Sequence, residues 1–149
     1  MQLDIKEQSL ILEGKKYSRK ELMSLSANAT GDNTSSFLLD LYRFLADWFS
    51  DSPFMTVHTS GSTGTPKVLT VRKEQMMQSA RMTCEFLNLH TGDTALLCMP
   101  LQYIAGKMMV VRALVAGLNL ILRTPSGHPL ADVTVPLRFV AMVPLQVFN

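Results

Sequence analysis

Excess charge is the first thing this 149-residue chain lacks: 14 Lys and Arg against 12 Asp and Glu leave a formal net charge of +2. That field is too weak to argue for a nucleic-acid or membrane partner. Cysteine is scarce as well. Cys84 and Cys98 stand far apart with no paired Cys/His spacing, which speaks against a disulfide framework and a structural zinc site and leaves reduced, buried thiols and no metal set as the expectation. MQLDIKEQSL lacks a basic region ahead of an apolar run. The longest apolar-rich stretch, 108–122, is broken by Arg112, Gly117 and Asn119, so neither a signal peptide nor a membrane span is read. A cytoplasmic protein is expected. There is no repeat or low-complexity tract, and 47% hydrophobic with 17% charged residues suits one packed globular domain.

The apolar spacing gives the elements. Leu10, Ile11 and Leu12 are strand-like, Glu13-Gly14-Lys15 a turn, and Ser18-Arg19-Lys20-Glu21 fits a capping box opening a helix through Leu22 and Leu25. Residues 27–36, ANATGDNTSS, are polar and turn-forming and read as a surface linker. Phe37, Leu38, Leu41, Phe44, Leu45, Trp48 and Phe49 then recur at helical steps; burial explains such a stripe without a ligand. Residues 54–58 read as a short buried strand and 68–71 as a second. Residues 73–89 read as a helix with Met76, Met77, Ala80, Cys84 and Leu87 inward and Lys73, Glu74, Gln78, Arg81 and Glu85 off that face. After a turn at 90–93, strands at 94–99 and 118–123 flank a helix at 105–116, and 139–143 reads as a last strand. Alternating strands and helices predict an α/β fold, a mixed or parallel sheet flanked by helices.

One segment carries chemistry: Thr59-Ser60-Gly61-Ser62-Thr63-Gly64-Thr65-Pro66-Lys67, between two apolar runs. Glycines let backbone N–H groups converge on an anion, and five hydroxyls add donors. An ammonium about 4 Å from a phosphate oxygen gains roughly 4 kcal/mol at an effective dielectric near 20, before desolvation. The segment is not the P-loop NTPase pattern, because Thr65-Pro66 separate Gly64 from Lys67 and Val68 follows. Ser62 lacks the glycine two positions before it that a nucleophile elbow requires, and no Gly-x-Gly-x-x-Gly occurs.

Residues 59–67 closely resemble the phosphate loop of the adenylate-forming enzymes, the superfamily of acyl-CoA synthetases, luciferases and peptide-synthetase adenylation domains. The resemblance continues through Gly92-Asp93 and through Met99-Pro100-Leu101-Gln102-Tyr103-Ile104-Ala105-Gly106. It implies an AMP-forming acid–thiol ligase using a carboxylic acid, ATP with Mg2+, and coenzyme A. Thr59, Ser60, Gly61, Ser62, Thr63, Gly64, Thr65 and Lys67 would bind the ATP phosphates, with Lys67 catalytic, and Tyr103 and Gly106 would line the acyl pocket. Two departures stand out: Gln102-Tyr103 replace the family's frequent Phe-His, and Val68 replaces its usual glycine. The early loop and the wording of 98–116 are most similar to the compact bacterial o-succinylbenzoate–CoA ligases of menaquinone synthesis. Residues 1–36 then form an N-terminal element and linker, and 37–149 part of the AMP-binding domain.

Other candidates have plainer readings. Thr91-Gly92-Asp93 spells the superfamily's ribose-binding triplet but falls 24 residues after Lys67 and just past a helix, where a turn is expected. His58 and His90 have no partner carboxylate at a telling spacing, so structural roles are expected. Ten methionines read as core filler, and Lys15, Lys16, Arg19 and Lys20 as a solvated basic face. No Tyr-Gly-x-Thr-Glu-like motif and no lid lysine are found, and residues 140–149 are apolar without a capping signal. The expectation is therefore a piece of a ligase, inactive alone and able to self-associate through its apolar end. A different acyl- or aryl-CoA ligase and a non-catalytic nucleotide- or anion-binding module stay open as alternatives.

Overall fold

The computed structural model describes residues 1–59, 65, 67–125, 133 and 136–140. A 3-10 turn, Ile5–Glu7, precedes β1 (Ser9–Leu12), which turns back into β2 (Lys15–Ser18). Glu13 and Gly14 between them have φ of +49° and +83°, the left-handed pair that a two-residue hairpin needs. β2 carries no apolar alternation and was not foreseen; this turn is what creates it. Ser18 then caps α1 (Arg19–Asn28): its Oγ accepts from the Glu21 N–H at 3.2 Å and the Glu21 carboxylate accepts from the Ser18 N–H at 3.2 Å, the reciprocal capping box. Because α1 reaches Asn28 and Ser36 opens α2 (Ser36–Trp48), the polar linker shrinks from 27–36 to 29–35.

The stripe on α2 goes to the core, with Leu41, Phe44, Leu45 and Trp48 buried and the Phe44 and Trp48 rings stacked at 5.9 Å. The Trp48 indole donates to Gln8 Oε1 at 2.8 Å, and Gln8, itself buried, donates to the Gln2 carbonyl at 3.0 Å. Both polar groups are thereby satisfied inside the apolar layer.

Five strands form one sheet in the order β2-β1-β6-β5-β7, from β5 (Thr94–Leu97), β6 (Asn119–Leu122) and β7 (Phe139–Val140) with the first hairpin. β1, β6, β5 and β7 run parallel; β2 alone is antiparallel. The sheet is mixed, as expected. β5 and β6 lie at its centre and Ala95, Leu96, Leu97 and Leu120 are fully buried, the pattern of strands covered on both faces. Their crossover is α4 (Ile104–Ala116), buried almost all round and ended by Gly117 at φ +72°.

Several readings need correction. Residues 54–58 do not join the main sheet: β3 (Phe54–Thr59) and β4 (Lys67–Arg72) pair antiparallel as a separate two-stranded sheet. β3 is half-buried rather than buried, with Met55 and Val57 inside and Phe54 and Thr56 outside. On α3 (Lys73–Phe86), Lys73 is buried at 2% exposure although the spacing put it off the inner face, and Leu87, just past the helix, is exposed although the spacing put it inward. Lys73 lies at the helix's first position, where the chain arriving from β4 and the 50–53 turn sets its direction. Cys84 and Cys98 are buried. Met76, Met77, Met108 and Met109 are core residues while Met82 is exposed. Arg19 departs from the solvated basic face, donating to the Phe49 carbonyl at 3.3 Å. The strand read over 139–143 is seen at Phe139–Val140, and its remainder lies outside the described residues.

Candidate functional site

The Gly/Ser/Thr loop is the connection of the β3–β4 hairpin. Thr59 pairs with Lys67 and His58 with Val68, so the described pairing ends at the Thr59–Lys67 rung. Residues facing each other across an antiparallel pair share a face of the sheet. Met55 with Val71, Val57 with Leu69 and Thr59 with Lys67 therefore share the inward face, which leaves the core behind as it nears the loop: Met55 and Val57 are buried, Thr59 is half-buried and Lys67 is exposed. Thr65 is exposed too. The sequence-predicted Ser60, Gly61, Ser62, Thr63 and Gly64 lie outside the described residues.

What places this hairpin is more fully defined. At its foot the Lys73 N–H donates to the Pro53 carbonyl at 2.9 Å, and the Lys73 ammonium donates to the Ser50 carbonyl at 3.0 Å and hydroxyl at 3.3 Å. Burial pushes that ammonium below the usual lysine range, with Asp47 and Asp51 pulling it back. At its loop end a parallel backbone bridge joins His58 to Tyr103. Tyr103 is the N-cap residue of α4 and is half-buried. It follows β5 in the chain, so bridge and loop stem lie past the carboxyl end of a central parallel strand, where open α/β sheets bind ligands.

The first turn of α4 presses on the segment that carries Tyr103. A Cβ built on Gly106 would lie 2.3 Å from the Pro100 carbonyl oxygen, so position 106 is glycine because two backbones meet there; this packing reason needs no acyl pocket. Next to it, Lys107 Nζ donates to the Leu101 carbonyl at 2.6 Å and sits 5.8 Å from the Phe44 ring centroid. Burial lowers its pKa, opposed by Asp47 and Asp40. Gln102 Nε2 donates to Asp40 Oδ2 at 3.4 Å, tying the same turn to α2. Lys73 and Lys107 were missed in the sequence. The available signal for Lys107 was a lone cation inside the apolar run IAGKMMVV.

Thr91-Gly92-Asp93 is a turn, as expected. Gly92 has φ +88°, the Thr91 hydroxyl donates to the Ala116 carbonyl at 3.2 Å, and Asp93 Oδ2 accepts from the His90 N–H at 2.7 Å and lies 3.8 Å from Arg138 Nε. It precedes β5, at the strand end opposite Tyr103. A cavity of about 420 Å³ opens at the foot of the hairpin, away from the loop, with Arg19, Asp51, Arg72, Lys73 and Glu74 in its wall. Among the described residues no group of three or more His, Cys, Asp or Glu could hold a metal ion, and no helix is long and apolar enough to cross a membrane.

A mixed parallel sheet with helices on its faces, and a Thr59–Lys67 rung past the carboxyl end of a central strand, define an α/β fold. More narrowly, the chain belongs to the AMP-binding enzyme family, which matches it over residues 3–149. Among solved structures it is similar to an acyl-CoA synthetase (AMP-forming)/AMP-acid ligase II-like protein from Dyadobacter fermentans, at 36% identity and a TM-score of 0.72 over 85% of this chain. The chain spans 36% of the length of that protein's chain. A second match, the inhibitor-bound N-terminal domain of FACL13 from Mycobacterium tuberculosis, has 20% identity and a TM-score of 0.43 over 55% of this chain and 24% of its own. No curated protein matches.

Proposed function

We propose that this chain supplies the pyrophosphate-binding loop of an AMP-forming acid–CoA ligase. The observation that supports it most is the Thr59–Lys67 rung: a hydroxyl and a cation on one face, at the mouth of a loop of small, hydroxylated residues, beside the carboxyl end of β5. In the first step a substrate carboxylate oxygen attacks the α-phosphorus of ATP, and the bond to the bridging oxygen breaks to give an acyl adenylate and pyrophosphate. The loop's N–H and O–H donors would hold the β- and γ-phosphates, and Lys67 would meet the charge that grows on the departing pyrophosphate, where a fixed cation lowers the barrier most. In the second step the coenzyme A thiol, losing its proton, attacks the acyl carbonyl and AMP leaves. Mg2+ would arrive with the nucleotide, and none of the described residues is assigned to it.

The acid is proposed to be o-succinylbenzoate, which would place the enzyme in menaquinone synthesis in the cytoplasm. The wording of 98–116 supports this. Tyr103 is kept as a pocket residue, while Gly106 contributes by letting α4 approach Pro100. The test is ATP–pyrophosphate exchange by the protein carrying this chain, across aromatic and aliphatic acids. Acid-dependent exchange, greatest with o-succinylbenzoate, is expected. Another preferred acid would overturn the substrate, and no exchange with any acid would overturn the ligase reading in favour of a nucleotide- or anion-binding module.

A further inference from the structure

Lys107 needs an explanation that packing alone does not give. It stands one turn inside a helix whose other residues are almost all apolar, and a Met or Leu would fill the space over Phe44 without the cost of desolvating an ammonium. What the ammonium adds is a charge-assisted bond of 2.6 Å to the Leu101 carbonyl, about twice as strong as a neutral one. Leu101 begins the short turn that continues through Gln102, bound to Asp40, to Tyr103, whose backbone bridges to His58. Thr59 follows directly, and the loop follows Thr59. Beside Lys107 on the same helix, Gly106 lets α4 close on Pro100. The route from Lys107 to the loop stem is therefore one hydrogen bond, one turn and one backbone bridge.

We propose that Lys107 is a positioning residue for the stem of the phosphate loop, pinning the 101–103 turn so that Tyr103 holds the His58–Thr59 end of β3 in place. This rests on the ligase reading above and adds a residue that touches neither nucleotide nor acid. Its action is on binding geometry, so it shows in nucleotide affinity rather than in the chemical step.

The experiment compares Lys107→Met, which keeps the stem over Phe44 and removes the donor, with Lys107→Arg, which keeps a cation. Amide hydrogen exchange and ATP–pyrophosphate exchange are measured on the whole protein. In Lys107→Met the KM for ATP should rise about tenfold with kcat within about twofold, as loss of one charge-assisted bond allows. Amides in 57–59 and 101–104 should exchange faster while those of α1 and β1 keep their rates. Lys107→Arg should restore most of both. Unchanged local protection in Lys107→Met, a fall in kcat at constant KM, or uniformly faster exchange in both variants would overturn the positioning role. Absence of ATP–pyrophosphate exchange in the wild type with every acid would overturn the ligase reading itself; local protection would then still decide whether Lys107 pins the turn.

Discussion

β5 and β4 are both apolar runs in the sequence, yet they end in opposite surroundings. Ala95, Leu96 and Leu97 are wholly inside, whereas Val68 and Leu69 stand 62% and 43% exposed. Among the described residues β5 lies between two parallel neighbours under helices, while β4 has one partner and hangs from β3, which reaches the core through Met55 and Val57. The contrast separates two jobs. The sheet is held by burial; the hairpin is held by Met55 and Val57 in the core, by Lys73 and Pro53 at the foot and by Tyr103 at the loop end, which leaves Lys67 of the last rung exposed.

The comparison breaks most visibly under truncation. Leu97→Ala should cost about 2–5 kcal/mol of unfolding free energy, the range for a buried leucine that leaves a cavity. Val68→Ala should stay within about 0.5 kcal/mol, as surface changes do. Denaturant unfolding of the two variants measures this; similar costs would erase the distinction between scaffold and hairpin.

A smaller effect sharpens the account of the hairpin's foot. Because burial lowers the Lys73 pKa in the folded protein, the unfolded chain holds more protons between the lowered and the ordinary value. The Lys73 contribution to stability therefore rises with pH through that window, the reverse of a lysine strengthened by an ion pair. The unfolding free energy of the wild type minus that of Lys73→Met should grow as pH climbs from neutral toward the usual lysine range. A flat or falling difference would mean that desolvation does not dominate there.

Much of this was legible in the sequence because it is local. The Ser18/Glu21 capping box, the α2 stripe from Leu41 to Trp48 and the Gly92 turn depend on residues within one or two turns of each other. β2 was missed because its partner, not its composition, makes it a strand. The hairpin was misplaced because period and hydrophobicity say that 54–58 and 68–71 are strands without saying which sheet receives them. Lys73 and Lys107 were missed for the same reason: Ser50 lies 23 residues from Lys73, and the role of Lys107 depends on a bridge between His58 and Tyr103 that no spacing rule encodes. Of the candidate site, the loop was legible as chemistry, and its supports were legible only as a fold.

The central claim is that the exposed end of the hairpin works on the nucleotide while the buried sheet only carries it. ATP–pyrophosphate exchange and thermal unfolding of Lys67→Ala, measured together on the protein carrying this chain, test it most directly. The account requires kcat/KM for ATP to fall on the order of 10²-fold or more, in the range of losing one charge-stabilising group, with the melting temperature unchanged within about 1 °C, since an exposed lysine adds little to stability. Unchanged exchange kinetics in a stably folded Lys67→Ala would contradict it.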